Sequence, residues 1–163
     1  MRLCLLVAKS AAAAHVVMTY GFHAGPAAGA SMLPTFDIAG DWILIDKRFR
    51  LGRNIVVGDL VNYRIPIFRH SEGVKRVIGM PGDYVLMQSP DSDSQRMIQV
   101  PQGHCWLAGD NLEASRDSRQ FGPVPLALIH GKVIARLLPW SNRQIFENGL
   151  VEPEVIPQSE RRR

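Results

Sequence analysis

The sequence predicts a mainly β protein: an irregular antiparallel β-sheet domain behind an N-terminal helix. Three observations point there. Fourteen glycines and eleven prolines punctuate 163 residues, which suits many short strands better than long helices. From Asp41 onward, short apolar or alternating runs recur between turn residues. Sustained helical composition is confined to the first twenty residues, where Ala11 to Ala14 are strong helix formers.

Taken in order, residues 1–20 are mostly apolar, with Lys9 and His15 interrupting the run. A spanning helix wants about 20 apolar residues, and a central lysine costs about 3 kcal/mol on insertion scales. The segment is therefore a marginal span. A cleaved signal peptide fits poorly: no small-x-small site follows in time, and cleavage near Gly29 would remove the support beside Ser31. A membrane anchor or a membrane-surface helix is the better reading. Residues 21–30 are small and read as a linker.

Residues 31–140 form the main domain. Strands are expected over Trp42–Ile45, Asp59–Tyr63, Val74–Ile78, Tyr84–Met87, Met97–Val100, Cys105–Ala108 and Lys132–Leu138. The polar stretch Ser89–Arg96, with Pro90, reads as a hairpin loop. Beyond Trp140 the pattern fades. Residues 141–163 read as a partly disordered tail, with prolines and charge concentrated after Glu152. There is no internal repeat.

Composition narrows the function. The formal charge is +4, and apart from Lys47-Arg48-Phe49-Arg50 and the terminal Arg161-Arg162-Arg163 the cations are scattered. No basic stripe with interleaved aromatics appears, which argues against nucleic acid as a partner. Contact of the basic runs with an anionic lipid surface is compatible with this pattern. Cys4 and Cys105 make no disulfide framework; Cys105 suits a small buried hydrophobe. The five histidines lack metal-ligand spacing, so neither a metal nor another cofactor is expected.

Three blocks carry chemistry. Ser31, preceded by Gly29 and Ala30 and followed by Met32-Leu33-Pro34-Thr35, lies in an extended or turned segment because Pro34 disfavours helix at Leu33. In Gly73–Gly79, strand alternation puts Lys75 on the face of Val77 and Arg76 on the face of Val74 and Ile78. A buried Lys75 would lose charge and become a base for Ser31; a lysine snorkelling to water would not. Arg76 cannot serve, because guanidinium stays protonated. The third block runs from Gly109-Asp110-Asn111 through Ser115-Arg116-Asp117-Ser118-Arg119. Its ordinary reading is a solvated loop. Its chemical reading has Ser115 aiming the base and Asp117 paired with Arg119.

The ordered set Ser31-Met32-Leu33-Pro34-Thr35, Gly40-Asp41, Lys75-Arg76-Val77-Ile78-Gly79-Met80-Pro81-Gly82-Asp83, and Gly109-Asp110-Asn111 through Ser115, Asp117-Ser118-Arg119 and Phe121-Gly122 closely resembles the type I signal peptidases, peptidase S26. The resemblance covers roughly residues 28–140. It implies an antiparallel β catalytic domain held at a membrane, with Ser31 as nucleophile, Lys75 as general base and Ser115 as the lysine-orienting hydroxyl. Asp110, Asn111, Asp117, Ser118 and Arg119 then give structural support. Some bacterial members place an oxyanion-binding hydroxyl two residues before the nucleophile. Here Gly29 stands there, leaving the Ser31 backbone N–H as the donor.

Within the family, the short stretch from Asp83 to Gly109 and the run Val100–Trp106 are most similar to the mitochondrial inner-membrane branch. Asp117-Ser118-Arg119 is similar to subunit 1 of that branch rather than subunit 2. The resemblance implies presequence-bearing protein substrates, membrane lipid, a sibling subunit 2 as heterodimer partner, and a catalytic domain facing the intermembrane space. Alternatives are a bacterial-type or other organellar signal peptidase, or an inactive peptidase-fold subunit that stabilises a partner. Self-cleaving repressor-type proteolysis lacks its DNA-binding domain and internal cleavage site here. A histidine triad is a poorer reading, because His104 and Asp110 flank one short strand and nothing pairs either with Ser31. Trp106 and Trp140 read as core or surface-anchoring aromatics. Met32, Leu33 and Phe36 suit either a lipid-touching lip or core packing.

Overall fold

The computed structural model describes residues 2–68, 70–89 and 96–148. Helix α1 (Arg2–Val16) continues through one wider turn, Val17–Gly21. The stretch Cys4–Gly21 is long and apolar enough to cross a membrane, and none of it is buried against the domain. At 1.5 Å per residue, 18 residues span about 27 Å, close to a bilayer's hydrocarbon thickness.

The chain then enters the sheet at once. Strand β1 (Phe22–Ala27) pairs antiparallel with β2 (Asp41–Asp46). The linker read over residues 21–30 is thus corrected: most of it is an edge strand. Gly25, Pro26 and Ala27 have little strand propensity, but β2 supplies the pairing. Pro26 is tolerated because, among the described residues, β1 has a neighbour strand on one side only.

The remaining strands are β3 (Leu60–Arg64), β4 (Glu72–Gly79), β5 (Tyr84–Leu86), β6 (Met97–Gln99), β7 (His104–Ala108), β8 (Val124–Pro125), β9 (Ile129–Leu138) and β10 (Gln144–Ile145). The main sheet runs β1-β2-β9-β3-β4-β7-β8, with β10 also on β9. Strands β5 and β6 form a separate ribbon. All pairs are antiparallel, as the sequence predicts.

Both faces of this sheet are covered. Val61, Tyr63, Val77, Leu107 and Ile129 pack on one side with Cys105 and Val124. Ile43, Ile45, Leu60 and Val133 pack on the other with Met32 and Phe36. Strand β9 serves both clusters because it is bulged. Asn62 pairs with Gly131 and Tyr63 with Ile129, so His130 is an extra residue. That insertion turns Ile129 to the face of Tyr63. Met32 and Phe36, 4% and 2% exposed, are core residues, which excludes the lipid-touching lip for that pair. Trp106 is core as well, while Trp140 is exposed under the Arg143 guanidinium.

The tail reading needs a boundary correction. Beyond residue 140 the chain stays attached through β10, the edge contact of Phe146 with Phe36, and the Asn148 amide donating to the Val57 carbonyl at 2.7 Å. Residues 149–163 lie outside the described residues, as do 90–95 of the hairpin loop between the paired β5 and β6.

Candidate active site

Ser31 sits in a single helical turn, Ala30–Met32, entered through Gly29 at φ 113°. That backbone suits glycine and strains other residues. The turn is fixed at several points. The Gly29 N–H donates to the Ile38 carbonyl at 2.8 Å, and the Asn111 N–H donates to the Ser31 carbonyl at 3.1 Å. The Asn111 side-chain amide donates to the Ala30 carbonyl at 3.1 Å. Met32, directly after the serine, is driven into the core.

Lys75 lies in the middle of β4, opposite Val61. Shared alternation with fully buried Val77 carries it inward, to 6% exposure. Its Nζ donates to Ser31 Oγ at 2.5 Å. Burial pulls the Lys75 pKa below its ordinary value, because an ammonium loses hydration there. The negative charges of Asp117 and Asp110 oppose this and do not overcome it.

Arg76, pointing to the other face, forms a two-pronged pair with Asp110: Nε to Oδ1 and Nη2 to Oδ2, each 2.8 Å. The Thr35 hydroxyl also donates to Asp110. One carboxylate therefore ties the strand bearing the lysine to the loop bearing the serine. Burial alone would raise the Asp110 pKa, but the bonds from Arg76 and Thr35 hold it below the usual carboxylate range. Sequence reasoning placed Asp110 among the supports and missed Arg76 and Thr35. The one available signal was strand alternation, which put Arg76 on a half-apolar face where a cation needs a carboxylate.

Asp117 is fully buried and gathers the third block. It accepts from Ser115 Oγ at 2.6 Å, the Gly109 N–H at 3.0 Å, and Arg119 Nε and Nη2 at 2.8 and 2.9 Å. Burial works against the carboxylate charge, and these bonds together outweigh it, keeping its pKa low. Arg119 also reaches Ser89 Oγ and the Leu112 carbonyl, both at 2.7 Å. The Ser118 hydroxyl accepts from the Leu107 N–H at 2.9 Å, pinning the short helix α2 (Ser118–Phe121) to β7. Gly109 sits where a Cβ would overlap the Ser115 hydroxyl and the Ser31 carbonyl. The Ser31 turn and the Ser115 block thus meet across a glycine.

Ser31 and Lys75 are brought into contact, and Asp110, Asn111, Asp117, Ser118 and Arg119 form the frame around them. Ser115 lies in that frame, but its hydroxyl donates to Asp117, while the Lys75 hydrogen bond goes to Ser31. His104 turns away, to the Gln102 carbonyl. Among the described residues, no three His, Cys, Asp or Glu side chains gather as a metal site.

A cleft of about 550 Å³ opens beside Ser31 and Lys75. Two strand edges line it. Among the described residues the outer edge of β1 is unpaired, and residues 72–75 of β4 lie beyond the reach of β7, whose pairing begins at Arg76.

A family model described as "Signal peptidase, peptidase S26" matches residues 1–92 and 86–140. The chain is 42% identical over 139 residues to mitochondrial inner membrane protease subunit 1 of Schizosaccharomyces pombe, covering 85% of this chain and 87% of that protein. It is 37% identical to the human protein of the same description, covering 79% and 77%. Mitochondrial inner membrane protease subunit 2 of Danio rerio is 34% identical, covering 79% of this chain and 68% of that one. A family match running from residue 1 to residue 140, with relatives of this identity over most of both chains, shows that the chain belongs to the peptidase S26 family of signal peptidases.

Proposed function

We propose that this peptidase is a membrane-associated serine endopeptidase that removes sorting presequences from proteins delivered to the mitochondrial intermembrane space, with Ser31 as nucleophile and Lys75 as general base. The observation that carries the proposal is a buried amine, with lowered pKa, 2.5 Å from a serine hydroxyl.

In its neutral form, Lys75 accepts the Ser31 proton as Oγ attacks the scissile carbonyl. The Ser31 backbone N–H steadies the oxyanion. The resulting ammonium returns its proton to the leaving amine, and the peptide C–N bond breaks. Lys75, neutral again, takes a proton from the water that attacks the acyl-enzyme carbonyl. It passes that proton to Ser31 Oγ as the ester bond breaks, so the acid product leaves and both groups regain their starting forms. Ser115, its own proton committed to Asp117, has lone pairs free to accept from the ammonium between these steps.

The substrate lies extended between the open edges of β1 and β4, its backbone hydrogen bonds completing both strands. The small residues at the β1 end of the cleft, from Gly25 to Ala30, leave room for the peptide main chain. The relatives named as subunits 1 and 2 of one protease support a sibling subunit as partner. They also support the inner membrane as location, and the apolar stretch Cys4–Gly21 supports α1 as its anchor; in this reading the domain faces the intermembrane space.

The test is turnover of a presequence peptide by the full chain. Ser31→Ala and Lys75→Met should each reduce it at least 1,000-fold, on the order seen when members of other serine-based catalytic sets are removed, with unchanged circular dichroism. Near-normal turnover in either folded variant rejects the dyad.

A further inference from the structure

At the foot of the apolar helix lies a second cavity, about 380 Å³ in volume, lined among others by Thr19, Lys47, Arg50 and Leu51. It adjoins the catalytic cleft, with which it shares His23, Ile45, Asn62 and Glu72. The loop that supplies its cations, Lys47–Gly52 with flanking Asp46 and Arg53, carries four basic residues against one acid.

This loop is clamped to the exit of the helix. The Arg50 guanidinium lies 4.9 Å from the Tyr20 ring centroid, and that of Arg48 lies 5.2 Å from the Phe22 ring. Arg48 is also paired with Asp46 at 2.6 Å. Leu51, at φ 59°, projects with 52% of its surface exposed, and Tyr20 is equally exposed. Exposed apolar surface therefore runs from the helix onto the loop, and the cations sit at its border. The acid lining the cavity, Glu72, has His130 Nδ1 at 3.0 Å.

We propose that this cavity and loop form a seat for anionic phospholipid headgroups, with Lys47 and Arg50 facing the phosphate and Leu51 entering the acyl boundary. Apolar surface continuous with a collar of cations is the complement of an anionic bilayer surface. A lipid held there would fix the height and tilt of the catalytic cleft above the membrane. The inference rests on the membrane-associated reading above, and its test separates the two.

The full chain is reconstituted in phosphatidylcholine bilayers with trace spin-labelled phosphatidylglycerol or spin-labelled phosphatidylcholine. The motionally restricted fraction of each label is then measured. A preference for phosphatidylglycerol of about fivefold or more is expected, from one cation's worth of surface attraction upward. Lys47→Gln/Arg50→Gln should bring it within twofold of unity, whereas Arg50→Lys and the remote Arg143→Gln should keep it. Millimolar inorganic phosphate at matched ionic strength should not compete.

Equal restriction of both labels in the wild type overturns the headgroup seat and leaves the membrane reading standing. No restriction of either label overturns both. Displacement by inorganic phosphate identifies a soluble-anion site instead. An unchanged preference in the double variant, with a raised KM for the presequence peptide, assigns the cavity to the peptide cleft.

Discussion

Asn111 holds Ser31 by its backbone: the asparagine N–H donates to the serine carbonyl at 3.1 Å, while its side-chain amide donates to the neighbouring Ala30 carbonyl, also at 3.1 Å. The position of Ser31 is therefore set from the third sequence block, eighty residues downstream.

Asn111→Ala removes the side-chain half of this clasp. It should cost about 1 kcal/mol in stability, the net worth of one such bond. It should also lower kcat by about tenfold or more, because small displacements of reacting groups are amplified in the rate. Urea denaturation and peptide turnover check the two parts separately.

Gly109→Ala should be worse on both counts. The added methyl overlaps Ser31 and Ser115 backbone and side-chain atoms that have little room to move. Overpacking of this kind costs about 1–3 kcal/mol. A lowered thermal midpoint with loss of turnover is expected.

The lowered pKa of Lys75 sets the pH behaviour. On the proposed mechanism activity requires the neutral amine, so kcat/KM should rise with pH on an acid limb below the ordinary lysine value of about 10.4. Stability follows the same sign. Between the folded pKa and the unfolded one the unfolded chain binds more protons, so stability rises with pH in that window, and the cost of the buried charge is greatest below it. Lys75→Met should flatten this slope and give a more stable, inactive protein. Denaturation midpoints over a pH series check it.

Asp117 raises the Lys75 pKa by its charge, against the larger effect of burial. Asp117→Asn should move the acid limb of kcat/KM to lower pH. It should also destabilise by about 3–5 kcal/mol, since the nearly buried Arg119 loses its carboxylate. The two readouts separate: a general loss of structure would lower the amplitude of the profile without shifting its limb.

The residues that gather at the site were more legible in the sequence than the sheet was. Ser31, Lys75 and the Gly109–Arg119 block stand out through the ordered family resemblance, and strand alternation puts Lys75 on the face of Val77 while leaving open whether its amine is buried or reaches water. The edge strand β1 was hidden because Gly25-Pro26-Ala27 carries no β-branched or aromatic signal; its pairing comes from β2. Strand β10 is two residues long and shows no periodicity at all. The partners within the site were the least legible. That Asp110 joins Arg76 to Thr35, and that Asp117 accepts the Ser115 hydrogen bond, depends on loops converging from three parts of the chain.

The most direct measurement is covalent labelling. The full chain is treated with a serine-directed acylating inhibitor, digested, and read by mass spectrometry. One adduct is expected, on the peptide bearing Ser31, forming faster as pH rises through the acid limb and absent in Lys75→Met. An adduct on a different serine, or equal labelling of Ser31 in Lys75→Met, contradicts the Ser31–Lys75 dyad.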